Sequence, residues 1–227
     1  MNKLIVLSLG GSIIIPPTGF DIEFLKEFRE LIIKEVKDGY RFIIVCGGGQ
    51  TARTYQAAAK EIGTLQPEDV DWMGIHATRL NAHFMRTILR GYAHPIVGRD
   101  YTEKLDWTEP VLIVSGWKPG CSTDFDAVKF AELYGGNTVI NLSNVSHIYD
   151  SDPNKNPKAK KLEKVSWKEI RKIVGDEWIP GANVPFDPIA SKEGEKIGLK
   201  VLFAKGTDLI EVEKAIEGRE IVGTVIS

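Results

Sequence analysis

The sequence predicts an α/β protein, a three-layer αβα sandwich around a mostly parallel central sheet. Three observations carry that prediction. Short apolar, β-branched runs recur along the chain, LIVLSL at 4–9, RFIIVC at 41–46 and VLIV at 111–114, and such runs suit strands buried on both faces. Glycine- or turn-rich loops follow them, and stretches of helical period come next. Loops at the carboxyl ends of parallel strands are where such sheets bind ligands, so several chemically loaded loops should converge.

The elements follow in order. Strand 4–9 runs into Gly10, Gly11 and Ser12, a turn whose glycines let backbone approach a ligand closely. A helix starts near Asp21, with Asp21 as N-cap, Phe20 and Leu25 as a hydrophobic staple, and Leu25, Phe28, Ile32 and Val36 as the apolar stripe. Asp38 and Gly39 end it. Strand 41–46 leads into Gly47, Gly48 and Gly49, a floor for a phosphate, with Arg53 placed to close over it with its planar fork. Residues 71–89 form a helix with Ile75, Leu80, Phe84, Ile88 and Leu89 as apolar contacts, and Asp71, Thr78, Arg79 and Asn81 as a polar, solvent-facing set. Residues 94–97 read as a short strand and 99–109 as a polar loop or short helix.

The chain is organised around residues 111–133. Strand VLIV feeds the turn-rich loop SGWKPGCSTD, and a helix follows with Asp124 as N-cap and Phe125, Val128 and Leu133 near helical spacing. Free N–H groups at that helix start make an anion site, with Lys118 as cation and Ser122 and Thr123 as hydroxyls. An ordinary βα connection explains the same residues. Strand 138–142 ends in a polar loop holding Tyr149 and two carboxylates before Pro153, which suits a base or ribose contact as well as a capped turn. Then come a helix at 166–173 with a Ser166/Glu169 capping box, an irregular stretch at 180–189, a helix at 190–197, a strand at 200–204, a helix at 208–217 and a strand at 223–226.

The 227 residues suit one large α/β domain, and 43% hydrophobic with 26% charged residues is an ordinary globular balance. A net charge of −2 gives nucleic-acid binding no electrostatic support, and the basic run at 155–164 reads as a solvated loop. No stretch approaches a membrane span, and the apolar N-terminus, broken by Gly10 and Gly11, reads as a buried strand rather than a targeting signal. Cys46 and Cys121 have neither metal-ligand spacing nor a disulfide framework, so a reduced, cytoplasmic setting is expected. Glycines at several strand ends cost conformational entropy with no packing return, which argues against a purely structural protein.

Taken together, SLGGS at 8–12, VCGGGQTAR at 45–53, DWMGIHATRLNA at 71–82, GWKPGCSTDFDAV at 116–128, NVSHIYDSDP at 144–153 and FDPIASK at 186–192 resemble the amino acid kinase family, and within it the archaeal-type uridylate (UMP) kinases. The resemblance implies transfer of the γ-phosphoryl of ATP to UMP, with Mg²⁺ arriving with ATP and no metal site of the protein's own. It implies one amino acid kinase domain, with about 1–137 binding the monophosphate and about 138–227 binding ATP. It implies Gly10, Gly11, Ser12 and Arg53 at the transferring phosphoryl. It implies Ser8, Gly49, Arg53, Ser143, Asn144, Tyr149 and Asp152 for ATP. For UMP it implies Gly48, Asp71, Trp117, Lys118, Pro119, Gly120, Cys121, Ser122 and Thr123. It implies a homo-oligomer, a hexamer, with the first long helix at a dimer face, and neither nucleic-acid nor membrane partners.

Several positions depart from the family pattern. Ser8 stands where bacterial members have lysine, Gln50 where lysine is frequent, and Ser146-His147 where Asp-Gly is common. Fewer cations around the phosphates keep two alternatives open: a phosphotransferase with another small phosphate or carboxylate acceptor, and a catalytically weakened nucleotide-binding module. Lys192 is a further possible phosphate contact.

Overall fold

The computed structural model describes residues 3–153, 155–181 and 184–227. Nine strands and eight helices are described, beginning with β1 (Leu4–Leu9), α1 (Gly11–Ile14), α2 (Ile22–Lys37), β2 (Arg41–Cys46), α3 (Gly49–Ile62) and α4 (Pro67–Ile88). β3 (Val111–Val114), α5 (Thr123–Tyr134), β4 (Thr138–Ser143), β5 (Ile148–Tyr149), β6 (Lys161–Leu162) and β7 (Lys164–Val165) follow. The chain closes with α6 (Trp167–Val174), α7 (Pro188–Ile197), β8 (Lys200–Lys205), α8 (Leu209–Ile216) and β9 (Gly223–Ile226). Seven strands form one sheet in the order β3-β2-β1-β4-β8-β9-β7. Every neighbouring pair is parallel except β8 with β9, so the sheet is mostly parallel, as the sequence predicts. β5 and β6 make a separate antiparallel pair.

The sheet is buried on both sides, and strand side chains alternate between two cores. Leu7, Leu9, Ile44 and Ile113 face a core completed by Phe28 and Ile32 of α2, Met85 of α4 and Val212 of α8. Val6, Ile43, Val45 and Val114 face the other, completed by Val128 and Phe130 of α5, Ile170 of α6 and Ala190 of α7. Those two helical layers and the sheet are the predicted sandwich. Among the described residues no helix is long and apolar enough to cross a membrane.

Local signals hold where they rest on local chemistry. Asp21 caps α2 by accepting from the Phe24 N–H (3.0 Å), and the Ser166/Glu169 capping box forms at α6. The Phe20 ring also packs across the fold, its centroid 4.8 Å from that of Phe84. α4 begins at Pro67, ahead of the predicted residue 71, because Gln66 and Asp69 form a capping box there. Leu80, expected as a core contact, is exposed, whereas Thr78 and Asn81, expected to face solvent, are buried. The stretch at 94–97 makes only isolated bridges on either side of it, Ala93 with Val111 and Gly98 with Val114. The basic run contributes β6 and β7 rather than remaining loop throughout, since those residues pair with β5 and β9. α7 starts at Pro188, where Asp187 caps it by accepting from Ile189 and Ala190 N–H groups (2.6 and 2.8 Å). Within the predicted irregular stretch at 180–189, Ala182 and Asn183 lie outside the described residues.

Candidate active site

The first two strands of the sheet centre end in glycine turns that meet back to back. A Cβ on Gly11 would lie 2.0 Å from the Gly49 N, and one on Gly47 would lie 2.4 Å from the Gly11 N. Gly49 also has φ +60°, which favours glycine. These glycines therefore let two backbone turns touch. The expectation that they carry no packing return is overturned.

Beyond these turns opens a cleft of about 650 Å³. Of the predicted residues, Ser12, Gly48, Gly49, Arg53, Asp71, Lys118, Cys121, Ser122, Thr123, Ser143 and Asn144 line it. The others lie apart. Gly11 is buried beneath the turns, and Gly10 donates its N–H to the Leu142 carbonyl (2.9 Å). Ser8 is buried, and its hydroxyl donates to Asp124 Oδ1 (2.9 Å). Trp117 packs edge-on against Tyr101 at 4.6 Å, and its carbonyl accepts from Arg79 (3.1 Å). Tyr149 and Asp152 belong to the β5 region and do not line the cleft. Pro119 and Gly120 sit at the loop tip, where the Gly120 N–H donates to Asp71 Oδ2 (2.9 Å).

Long-range hydrogen bonds hold the loop between β3 and α5 in place. Thr78 Oγ1 accepts from the Gly116 N–H (2.8 Å), and Asn81 Nδ2 donates to the Gly47 and Gly48 carbonyls (2.8 and 3.0 Å). The two polar side chains of α4 thus tie the acceptor loop and the glycine turn to one helix. Asp71 accepts from Gly120 and also from the Trp178 indole N–H (3.0 and 3.2 Å). Arg53 is exposed, with its Nε donating to Gln50 Oε1 (3.2 Å).

The start of α5 differs from the expected anion site. Ser122, not Asp124, is the N-cap, and its Oγ accepts from the Asp124 N–H (3.1 Å). The Ser122 N–H donates to the Asp187 carboxylate (2.6 Å), so the protein places its own anion there. With its backbone N–H already satisfying the cap, Asp124 turns its side chain to the sheet centre. Its Oδ1 accepts from Ser8 and from Asn141 Nδ2 (2.7 Å), and burial and the neighbouring Asp187 push its pKa up to about 6. Asp126, one residue pair further along α5, is buried and its pKa is raised well above the ordinary carboxylate range by burial, Asp187 and Asp124. Burial likewise pushes the Cys121 thiol up, so it is no ready nucleophile.

Sequence reasoning missed Thr78, Asn81, Asp126, Asp187 and Trp178, and read Asp124 as a cap alone. Two of these left a signal. Asp187 followed by Pro188 is the pattern of a helix start, and Asp126 is a second carboxylate in the first turn of α5, directly before Ala127 and Val128.

Residues 3–205 match the profile of the amino acid kinase family. A uridylate kinase of Methanocaldococcus jannaschii is 36% identical over 98% of this chain and 98% of its own length. One from Pyrococcus abyssi is 33% identical over 97% of this chain and 98% of its own. The crystal structure of a uridylate kinase from Archaeoglobus fulgidus superposes with a TM-score of 0.81 at 33% identity, covering 98% of this chain and 99% of that one.

Proposed function

The chain belongs to the amino acid kinase family, and from that premise we propose that its cleft transfers the γ-phosphoryl group of ATP to UMP, giving UDP and ADP. One observation carries the reading: residues expected at the acceptor (Gly48, Asp71, Lys118, Ser122, Thr123), at the donor (Ser143, Asn144) and at the transferring group (Ser12, Arg53) border a single cleft. Its likeness to uridylate kinases across nearly the whole chain supports the choice of acceptor.

In the proposed reaction an oxygen of the UMP phosphate attacks the γ-phosphorus, a new P–O bond forms, and the bond to the ADP oxygen breaks. The nucleophile is already an anion, so no side chain must remove a proton. The protein's work is positioning and charge neutralisation. Arg53 suits phosphate recognition by its planar fork, and Lys118 adds a mobile cation at the acceptor loop. The N–H groups at the start of α3 add partial positive charge. Gly10 and Gly11 act by holding the turn that carries Ser12, and Ser8 by holding Asp124. Tyr149 and Asp152 are assigned to the outer part of ATP.

The residues also fit a hard divalent cation brought in with ATP. Asp124 is an oxygen ligand held by the Ser8 hydroxyl of β1 and the Asn141 amide of β4, with no thiol or imidazole bonded to it among the described residues, which suits Mg²⁺. The burial that raises its pKa would be offset by a nearby dication. Bound there, Mg²⁺ would neutralise phosphate charge, and Asp124 would orient it.

Residues 1–137 and 138–227 are assigned as acceptor and donor halves of one domain in the cytoplasm, where reduced Cys46 and Cys121 are at home. The homo-oligomer we propose has apolar surface available on α3 and α4 (Tyr55, Trp72 and Leu80) and at the start of the first long helix (Ile22). A monomeric mass by light scattering would remove that part of the reading. The activity itself is tested by ADP release with ATP and Mg²⁺ against UMP, CMP, AMP, GMP and dUMP. UMP should be turned over well above the rest; silence with all five would overturn the proposal.

A further inference from the structure

Asp126 has no structural employment. It is 3% exposed, and its Oδ1 is buried without a hydrogen-bond partner. It caps nothing, since Ser122 caps α5, and it joins none of the ion pairs among the described residues. Its charged neighbours are Asp187 and Asp124, which repel it, and Lys118, which faces it from the loop. A buried carboxyl without a partner is destabilising, and hydrophobic replacement at this helix position would relieve that. Yet Asp126 borders the cleft beside Lys118, Cys121 and Thr78, on the acceptor side. A polar group held at a cost in the wall of a binding cleft marks a ligand contact.

The missing partner must be a donor. The phosphate of a nucleoside monophosphate offers acceptors only. Its ribose hydroxyls are donors, but Asp71 is the carboxylate assigned to them. What remains on UMP is the N3–H of the uracil ring, flanked by two carbonyl oxygens. A carboxyl oxygen of Asp126 supplies the acceptor that this N3–H needs.

We propose that Asp126 reads the base of the acceptor nucleotide by accepting a hydrogen bond from the uracil N3–H. The inference rests on the UMP kinase reading and deepens it by naming the residue that selects the base. A site built to bond a donor rejects an analogue lacking it, because its own buried group is left unpaired.

The experiment compares UMP with its N3-methyl analogue, in wild type, Asp126→Ala and Asp126→Asn, by steady-state ADP release with ATP and Mg²⁺. Wild type should favour UMP by roughly 30-fold or more in kcat/KM. Asp126→Ala should raise the KM for UMP by about 10-fold or more, leave the KM for ATP in place, and shrink the preference to within about 3-fold. Asp126→Asn keeps an acceptor oxygen in the same position and should recover most of the UMP affinity. Equal preference in Asp126→Ala and wild type would overturn the proposal, as would a wild type indifferent to the N3-methyl group, which needs no variant to fold. Either result, with UMP still turned over, leaves the kinase reading standing. No UMP turnover by wild type defeats both, and is told apart by that alone.

Discussion

The two sides of the cleft are built on different principles. On the acceptor side, each loop is tied to distant chain: Gly116 to Thr78, Gly120 and Trp178 to Asp71, and Ser122 to Asp187. Tyr101 adds edge-on aromatic contacts to Trp117 and Phe125 beneath the loop. On the donor side, Asn144 is exposed and the polar side chains next to it bond to neighbours, Ser143 to Asn144 and His147 with Ser146, while distant ties fall on backbone groups, from the Ile148 N–H to Thr224 Oγ1 and from the Gly206 N–H to the Ser143 carbonyl. The acceptor side is thus arranged in advance, which favours discrimination between small ligands. The donor side leaves the larger nucleotide to be held by backbone and by its own contacts. Substitutions should therefore cut deeper on the acceptor side and at the seam than on the donor side.

The seam is Asp124, and breaking it should have the largest effect. Asp124→Asn keeps an oxygen to accept from Ser8 and Asn141, so the fold survives, but the charge is gone. A kcat loss of about 100-fold or more is expected if the carboxylate orients Mg²⁺ and the phosphates, a scale typical of removing one electrostatic contact to a transferring group. The pH profile sharpens this. With a folded pKa of about 6 against 3.8 unfolded, the native state holds the proton more tightly. Stability is then lost as pH rises from about 4 to 6, by roughly 3 kcal/mol from this group, and is level above that window. The kcat/KM for ATP, which reports the free enzyme, should move the opposite way, rising through pH 6 as the carboxylate forms. Asp124→Asn should flatten this group's part of the stability slope; melting curves and rates from pH 4.5 to 8 read both. A variant with wild-type kcat would remove Asp124 from the reaction.

The same contrast sorts what the sequence could reveal. The strands, the Asp21 cap and the Ser166/Glu169 box depend on residues within a few positions, and they are legible. Thr78 and Asn81 look like a solvent face because their partners lie 38 and 33–34 residues away. Trp178 reaches Asp71 across 107 residues, and no local pattern announces it. The glycines mark the right place for the wrong reason: Gly11, Gly47 and Gly49 are needed first by one another. The Asp124 side chain reads as a cap because Ser122, two residues earlier, is an equally good one, and only the fold decides between them.

Trp178 gives the next largest effect and its sign is opposite to a simple loss. Its indole N–H donates to both oxygens of Asp71, the group assigned to the UMP ribose. A ribose hydroxyl approaching the same two oxygens competes with that donor, so the indole opposes substrate. Trp178→Phe keeps the apolar ring and removes the N–H. The KM for UMP should fall by about 3- to 10-fold, the net scale of one ordinary hydrogen bond that no longer has to be exchanged. The KM for ATP should not move. A rise in the KM for UMP would mean that Trp178 holds the substrate rather than Asp71, and would reverse its assignment.

The smallest effect belongs to the donor side. Asn144 borders the cleft, but it is exposed, and it accepts a long side-chain bond from its neighbour Ser143 (3.4 Å). Truncating it frees no buried group and unties no distant segment, so the fold should be indifferent and the melting temperature unchanged. Asn144→Ala should raise the KM for ATP by no more than about 3-fold, since a solvent-exposed hydrogen bond is worth a fraction of a buried one, and the KM for UMP should stay fixed. An ATP effect as large as the UMP effects of Asp126→Ala would break the comparison: it would mean that the donor side, despite its local bonding, is as strictly prepared for its ligand as the acceptor side.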